Sequence, residues 1–435
     1  MNSLFRVCRP TWANALVGDN GSPGYREYFK GYSKAANHLL EIVKESENEI
    51  LGDELVYPIC FNMRHSIELR LKYILSETNE LASRCKKCPS HELKLTATHS
   101  IYTLWESVNS VLQELDRRFT PLLDLINPFV SEISSIDENG QIFRYPYGQD
   151  KFKHLSDYGG GINLINLMIG FRKLEALMDE LDKMFVFIVD EYRFSESYTK
   201  EFSRADLYQI ARMLPNKSTW SGEEFASIKE SLRVKYGVSG RKLSRGIKLI
   251  EKHYQFAPLI GLQVDLLGLS EQALVNILKV FLTEHPEHRI PISERVISVK
   301  GSNNISLEEL LSAAESRFSI EKYCKHAATV ELVSGITALF YLAYDGMYSE
   351  DYINRYNIEF YELSHASREE IVSSMSHVVG KYNLIKNVMN SLWILNKPEM
   401  IRRLISELGL EGCVDIEEKL DIICIPSDKE SYGYV

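Results

Sequence analysis

The chain lacks any apolar run near the roughly 18 to 20 residues that a membrane-spanning helix requires. Its opening stretch, MNSLFRVCRPTWAN, carries no apolar h-region of the kind that leads a secreted protein. The expected address is therefore cytoplasmic, with no membrane partner. Cysteine is sparse: seven residues, an odd number, scattered through 435 positions, a pattern that fits reduced thiols better than a disulfide framework. There is no surplus of positive charge, because the formal net charge is −10, so a polyanion would have to find a local basic island. Strand-like runs are few, RVISVKG (295–301) and DIICIP (421–426) being the best, too little for a substantial sheet. A Walker A loop, a dinucleotide fingerprint, a GxSxG elbow, HExxH and the kinase signatures are all missing, and no cofactor is expected.

What the sequence does hold is helical periodicity. A content of 45% hydrophobic and 25% charged residues marks a globular chain, and 435 residues exceed one ordinary core. Residues 25–45 repeat apolar positions through Tyr28, Phe29, Tyr32, Ala35, Ala36, Leu39 and Val43. In YPICFNMRHSIELRLKYIL (57–75), Cys60, Met63, Ile67, Leu71 and Ile74 form a second stripe, with Pro58 expected in the first turn. A third helix follows His99, carrying Leu104, Trp105, Val108, Val111, Leu112 and Leu115, and a long one runs from Leu167 to about Tyr192. Between them, DENGQIFRYPYGQDKFKHLSDYGGG (137–161) breaks every helical period and predicts an irregular loop or short hairpin. Four long helices joined by polar segments are the signature of an antiparallel bundle. Capping-box spacings at Ser203/Asp206, Ser306/Glu309 and Ser367/Glu370, and Pro398 and Gly409 bracketing a helix, make the second half helical too. The apolar-poor stretch RFSESYTKEFSRAD (193–206) sets the boundary at about residue 195: all-α, a bundle over 1–195 and a mostly helical region over 196–435.

Charges flank the second stripe. Arg64, Glu68 and Lys72 recur at four-residue steps beside it, with His65 adjacent, where charges are half covered. RHSIELRLK on this helix, a His-started helix at THSIYTLW and the FRYP turn at 143–146 together resemble the HEPN superfamily of all-helical domains, over roughly the first 195 residues. The resemblance implies a metal-independent ribonuclease of a bacterial defence or toxin system, acting as a homodimer. Its signature is Arg, four to six residues, then His. An imidazole would take the proton of the 2′-OH and a guanidinium would hold the phosphate, leaving a 2′,3′-cyclic phosphate. In this chain Arg84 and His91, in RCKKCPSH, have that spacing, but Pro89 makes their segment a loop. A different constellation joins Arg64, His65 and Glu68 of the second helix with Arg144 and Tyr145 of FRYP and His99 of the third. Against both stands plain pairing: Arg64 with Glu68 is an i,i+4 salt bridge, and Arg144 equally suits a loop-pinning role. The class that competes with the nuclease is a non-catalytic adaptor or sensor that dimerises through its bundle and binds nucleic acid or a protein partner.

Two further motifs carry chemistry. Cys85, Cys88 and His91 have metal-ligand spacing, with His99 as a conceivable fourth zinc ligand, yet a single CxxC fits surface thiols better, and two lysines between them would lower the thiol pKa. HPEH (285–288) reads as a loop. RVKYGVSGRKLSRGIKLIEKHY (233–254) is the clearest basic island, with Arg233, Lys235, Arg241, Lys242, Arg245, Lys248 and Lys252 against Glu251 alone. Within 225–254, two helices about a YGVSG turn resemble a helix-turn-helix in outline, in which Arg241, Lys242 and Arg245 would face phosphates; the alternative is a solvated amphipathic helix.

Overall fold

A computed structural model describes residues 6–20, 22–46, 48–85, 87, 98–148, 152–156, 160–294, 319–345, 348–420 and 432–434. The chain is all-α, and among the described residues there is no strand, only an isolated antiparallel bridge between Tyr147 and Lys153. No described helix is long and apolar enough to cross a membrane. It divides into two compact units, Met1–Tyr192 and Arg193–Val435. Both strand candidates, and the Ser306/Glu309 cap, lie outside the described residues.

The first unit is a helical bundle of α1 (Tyr25–Ser46), α2 (Glu49–Cys85), α3 (Ile101–Leu115), α4 (Thr120–Ile136) and α5 (Leu164–Phe194). α1 and α2 are joined by two residues and pack along each other, α3 lies on α2, and α4 on α3. The apolar stripes explain the packing: Cys60, Met63, Ile67, Leu71 and Ile74 of α2 and all six predicted apolar residues of α3 are buried. α5 is tied to its neighbours by polar contacts, with Arg70 of α2 reaching Asp179 and Asp182 at 2.6 Å each and Asn37 of α1 reaching Glu175 at 2.8 Å. Two prolines depart from expectation. α2 starts eight residues before Tyr57, so Pro58 sits inside the helix rather than in its first turn. α4 likewise runs through Pro128. Burial of Leu123, Ile126 and Val130 across that point offsets the missing backbone hydrogen bond, which costs about 3 kcal/mol in an exposed helix.

The second unit comprises α6 (Arg204–Met213), α7 (Glu223–Tyr236), α8 (Gly240–Ile250), α9 (Glu271–Glu284), a helical stretch over 319–327, α10 (Val330–Asp345), α11 (Glu350–Leu363), α12 (Arg368–Val379), α13 (Leu384–Ile394) and α14 (Pro398–Leu408). Both capping boxes within the described residues form, at Ser203/Asp206 and Ser367/Glu370, and Gly409 closes α14 in the left-handed region at φ +65°. α10 is the hub, packed against α11, α12 and α13, while α6 and α7 both pack on α8. Gly246 permits the contact of α6 with α8: a Cβ there would lie 3.1 Å from Phe202 and Leu207.

Candidate functional site

Arg64, Glu68 and Lys72 stand at four-residue steps on α2, as the periodicity requires, but the flank that carries them is sealed rather than half covered. Their exposures are 3%, 2% and 6%. What covers them is the turn after α4 and the residue that enters α3. The Arg64 guanidinium donates through Nε to the Asp137 carbonyl at 3.1 Å and through Nη2 to the carbonyls of Glu138, at 2.7 Å, and His99. Asp137 is the residue that ends α4, so Arg64 supplies donors to a helix C-terminus, where carbonyls otherwise lack them. Its remaining arm, Nη1, donates to Glu68 Oε2. Gly140 makes room: it has φ +74°, and a Cβ there would come within 2.9 Å of Nη1. The expectation that Arg64 grips a phosphate is corrected on this ground, because its donors are committed to protein acceptors; it is a clamp between α2, α3 and α4.

Glu68 is the centre of the cluster. Its Oε1 accepts from Lys72 Nζ at 2.8 Å and from His99 Nδ1 at 2.9 Å. Burial alone would raise its pKa, but the neighbouring His65, Lys72 and His99 side chains and the charge of Arg64 outweigh that and hold the carboxyl well below its usual range. A carboxylate so held is ionised and can only accept, so His99 Nδ1 is the donor, which in the neutral ring leaves Nε2 as the acceptor. The His99 side chain is 68% exposed, so that nitrogen is open to solvent. His65 Nδ1 stands 3.7 Å from Glu68 Oε2, beyond hydrogen-bond range, with its side chain 26% exposed.

Aromatic rings, not charges, connect His65 to the FRYP turn. The imidazole stacks on Phe61, centroids 5.5 Å apart at 12°, and meets Tyr32 of α1 edge-on at 4.5 Å. Exposed Arg144 lies over the same Phe61 ring at 5.7 Å and over Tyr145 at 5.3 Å. His65, His99, Glu68 and Arg144 are thus gathered beside the middle of α2, around a carboxylate that Arg64 and Lys72 contact directly. Phe61 escaped the sequence reading, although its position one helical turn before His65 was a usable signal.

Arg84 is not part of this group. It lies 20 residues further along α2, about 30 Å at 1.5 Å per residue, with Glu80 at 3.6 Å. His91 and Cys88 fall outside the described residues. Cys85 is buried, and burial pushes its thiol up to about 12, opposite to the lowering expected from the neighbouring lysines. Among the described residues no three His, Cys, Asp or Glu side chains are placed to hold a metal ion. HPEH forms a 3-10 turn, Pro286–Arg289, rather than an open loop.

In the second unit the basic island folds as two helices about a turn at Gly237, which has φ +61°. Arg233 pairs with Glu230 at 2.5 Å and Lys242 with Glu201 at 3.0 Å, and Lys235 lies 5.5 Å over the Tyr236 ring. Arg241, Arg245, Lys248 and Lys252 are exposed, without an ion-pair partner among the described residues.

A second buried charged centre gave no sequence signal, because its members are scattered from position 195 to 434. Arg204 Nε donates to Glu350 Oε1 at 2.9 Å and its Nη1 to the Tyr434 hydroxyl at 3.2 Å. His253 Nδ1 accepts the backbone N–H groups of Gln255 and Phe256, both at 3.2 Å, which leaves Nε2 to donate to Glu350 Oε1 at 3.1 Å. Burial lowers the His253 pKa against the pull of Glu350, so the ring is held neutral. Glu350 is opposed by burial too, but Arg204 and His253 keep its carboxyl well below the usual range. Comparison of this chain with family models, with curated proteins and with solved structures found no match.

Proposed function

We propose that the first unit is an RNA-directed effector that cleaves RNA without a metal, with His99 as the proton acceptor. The observation that carries this reading is an exposed imidazole anchored through Nδ1 on a buried, ionised Glu68, with Nε2 free to act as a base. His99 Nε2 takes the 2′-OH proton, the 2′-oxygen attacks phosphorus, and the P–O5′ bond breaks as the departing oxygen takes a proton from solvent water. A 2′,3′-cyclic phosphate and a 5′-hydroxyl result. His65 is the second imidazole of the site, and exposed Arg144 is the group that meets the phosphate. Arg64, Lys72 and Glu68 position these residues.

The test is incubation of the purified full chain with mixed RNA in EDTA, beside His99→Ala and His65→Ala variants. Cleavage ending in cyclic phosphate and reduced about 100-fold or more by His99→Ala supports the proposal. Intact RNA with the unaltered protein, or equal cleavage by the His99 variant, ends it. The sealing of Arg64 and Glu68 favours a second reading, a non-catalytic adaptor or sensor that dimerises through its bundle, and intact RNA in that assay is its expected result.

A further inference from the structure

We infer that α8 is a docking helix for duplex DNA, contacting its phosphate backbone through four side chains, at a site separate from the imidazoles of the first unit. Arg241, Arg245 and Lys248 fall at four- and three-residue steps, and Lys252 follows four residues later in the succeeding turn, so they form one stripe. The other side of α8 is fixed in the core by Leu243, Gly246, Ile247 and Ile250. That fixation leaves the stripe facing outward. The nearest acids are already engaged: Glu201 by Lys242, Glu230 by Arg233 and Glu251 by Lys217. Uncompensated positive charge on an otherwise acidic protein is what a phosphate backbone complements.

The stripe favours a duplex over a single strand because α8 carries no aromatic side chain on which an unpaired base could stack. The tyrosines that flank it are packed within the protein, Tyr236 edge-on against Phe202 at 5.5 Å and Tyr254 edge-on against Tyr352 at 5.4 Å. It favours DNA over duplex RNA because a helix bearing short residues beside its cations, Gly240 and Ser244, suits the wide major groove of B-form DNA, and the A-form major groove is too narrow. Along the axis of α8, Arg241, Arg245 and Lys248 rise by about 6 and 4.5 Å, so they follow a backbone rather than a single phosphate.

The experiment is anisotropy of a labelled 20-base-pair DNA duplex with the full chain, from 50 to 200 mM salt. Four phosphate contacts give a slope of log affinity on log salt of about −3.6, which is a loss of about 150-fold over that range. Arg241→Ala, Arg245→Ala, Lys248→Ala and Lys252→Ala should each flatten the slope by about 0.9. Arg233→Ala and Lys242→Ala, whose side chains are paired within the protein, should leave it within half that amount. All six positions are exposed, so an unchanged thermal midpoint certifies the variants. Absence of binding at 50 mM salt, a slope indifferent to the four substitutions, or equal or tighter binding of duplex RNA or a single strand overturns the inference. The nuclease reading is read separately, by His99→Ala in the cleavage assay.

Discussion

Replacing Arg64 by Met removes the clamp on α2 while keeping an unbranched side chain in its place. The Arg64–Glu68 pair is almost fully buried, and taking away one member of such a pair costs about 3 to 5 kcal/mol. Two features of the site move the value within that range. Glu68 keeps Lys72 and His99, which softens the loss. The carbonyls of Asp137 and His99 lose a donor at about 1 to 3 kcal/mol each, which deepens it, although the Glu138 carbonyl keeps the Ile101 N–H at 3.1 Å. The expected cost is about 4 kcal/mol. For a unit of 192 residues that corresponds to a fall in midpoint of about 8 to 16 °C. Hydrogen exchange of α2 and α4 amides isolates this unit from the other, and a double-mutant cycle with Glu68→Gln should return a coupling of about 1 to 3 kcal/mol. A cost below 1 kcal/mol, or strict additivity with Glu68→Gln, would refute the clamp.

The remaining predictions concern acid and backbone. Because the folded pKa of Glu68 lies below its ordinary 4.5, its contribution is present above about pH 4.5 and is lost as pH falls below it; α2 exchange should therefore steepen with acid, and Glu68→Gln should flatten that dependence. His253 acts earlier, since its folded pKa is lowered from 6.5: the unfolded chain takes up a proton the folded one refuses, so the second unit weakens as pH drops below about 6.5. An α6 or α11 exchange profile flat from pH 7 to 5 would contradict the neutral, buried assignment of His253. Gly140→Ala forces a side chain into the left-handed region and against the Arg64 guanidinium, so it should cost about 1 to 3 kcal/mol and add little on top of Arg64→Met; full additivity in denaturant titrations would show that the two do not share a site.

The helices were legible because burial follows a period of 3.6 residues, and Leu104, Trp105, Val108, Val111, Leu112 and Leu115 on α3 are buried as their spacing requires. Prolines misled where tertiary packing overrode local preference: α2 extends through Pro58, and α4, with Pro121 and Pro128, was not read as a helix although Leu123, Ile126 and Val130 keep helical spacing. Of the residues grouped from the sequence, Arg64, Glu68 and His99 touch one another, whereas Arg144 reaches only the Phe61 ring on which His65 stacks and the Tyr145 ring. Whether a flank on a helix is wet or dry depends on which loop lies over it, and the Asp137–Gly140 turn that covers Arg64 is 73 residues or more away in sequence. The Arg204 centre was illegible for the same reason, its parts being brought together only by folding.

Glu68 serves two masters: it is the counter-ion that lets Arg64 and Lys72 be buried, and it is the anchor of an outward-facing imidazole. Retention of this carboxylate among descendants of the sequence therefore reports on folding, independently of the proposed RNA cleavage. His99 faces solvent and spares the core when it is lost, so drift at that position, rather than at the charged helix, is the record that natural variation would keep of an abandoned or preserved chemistry.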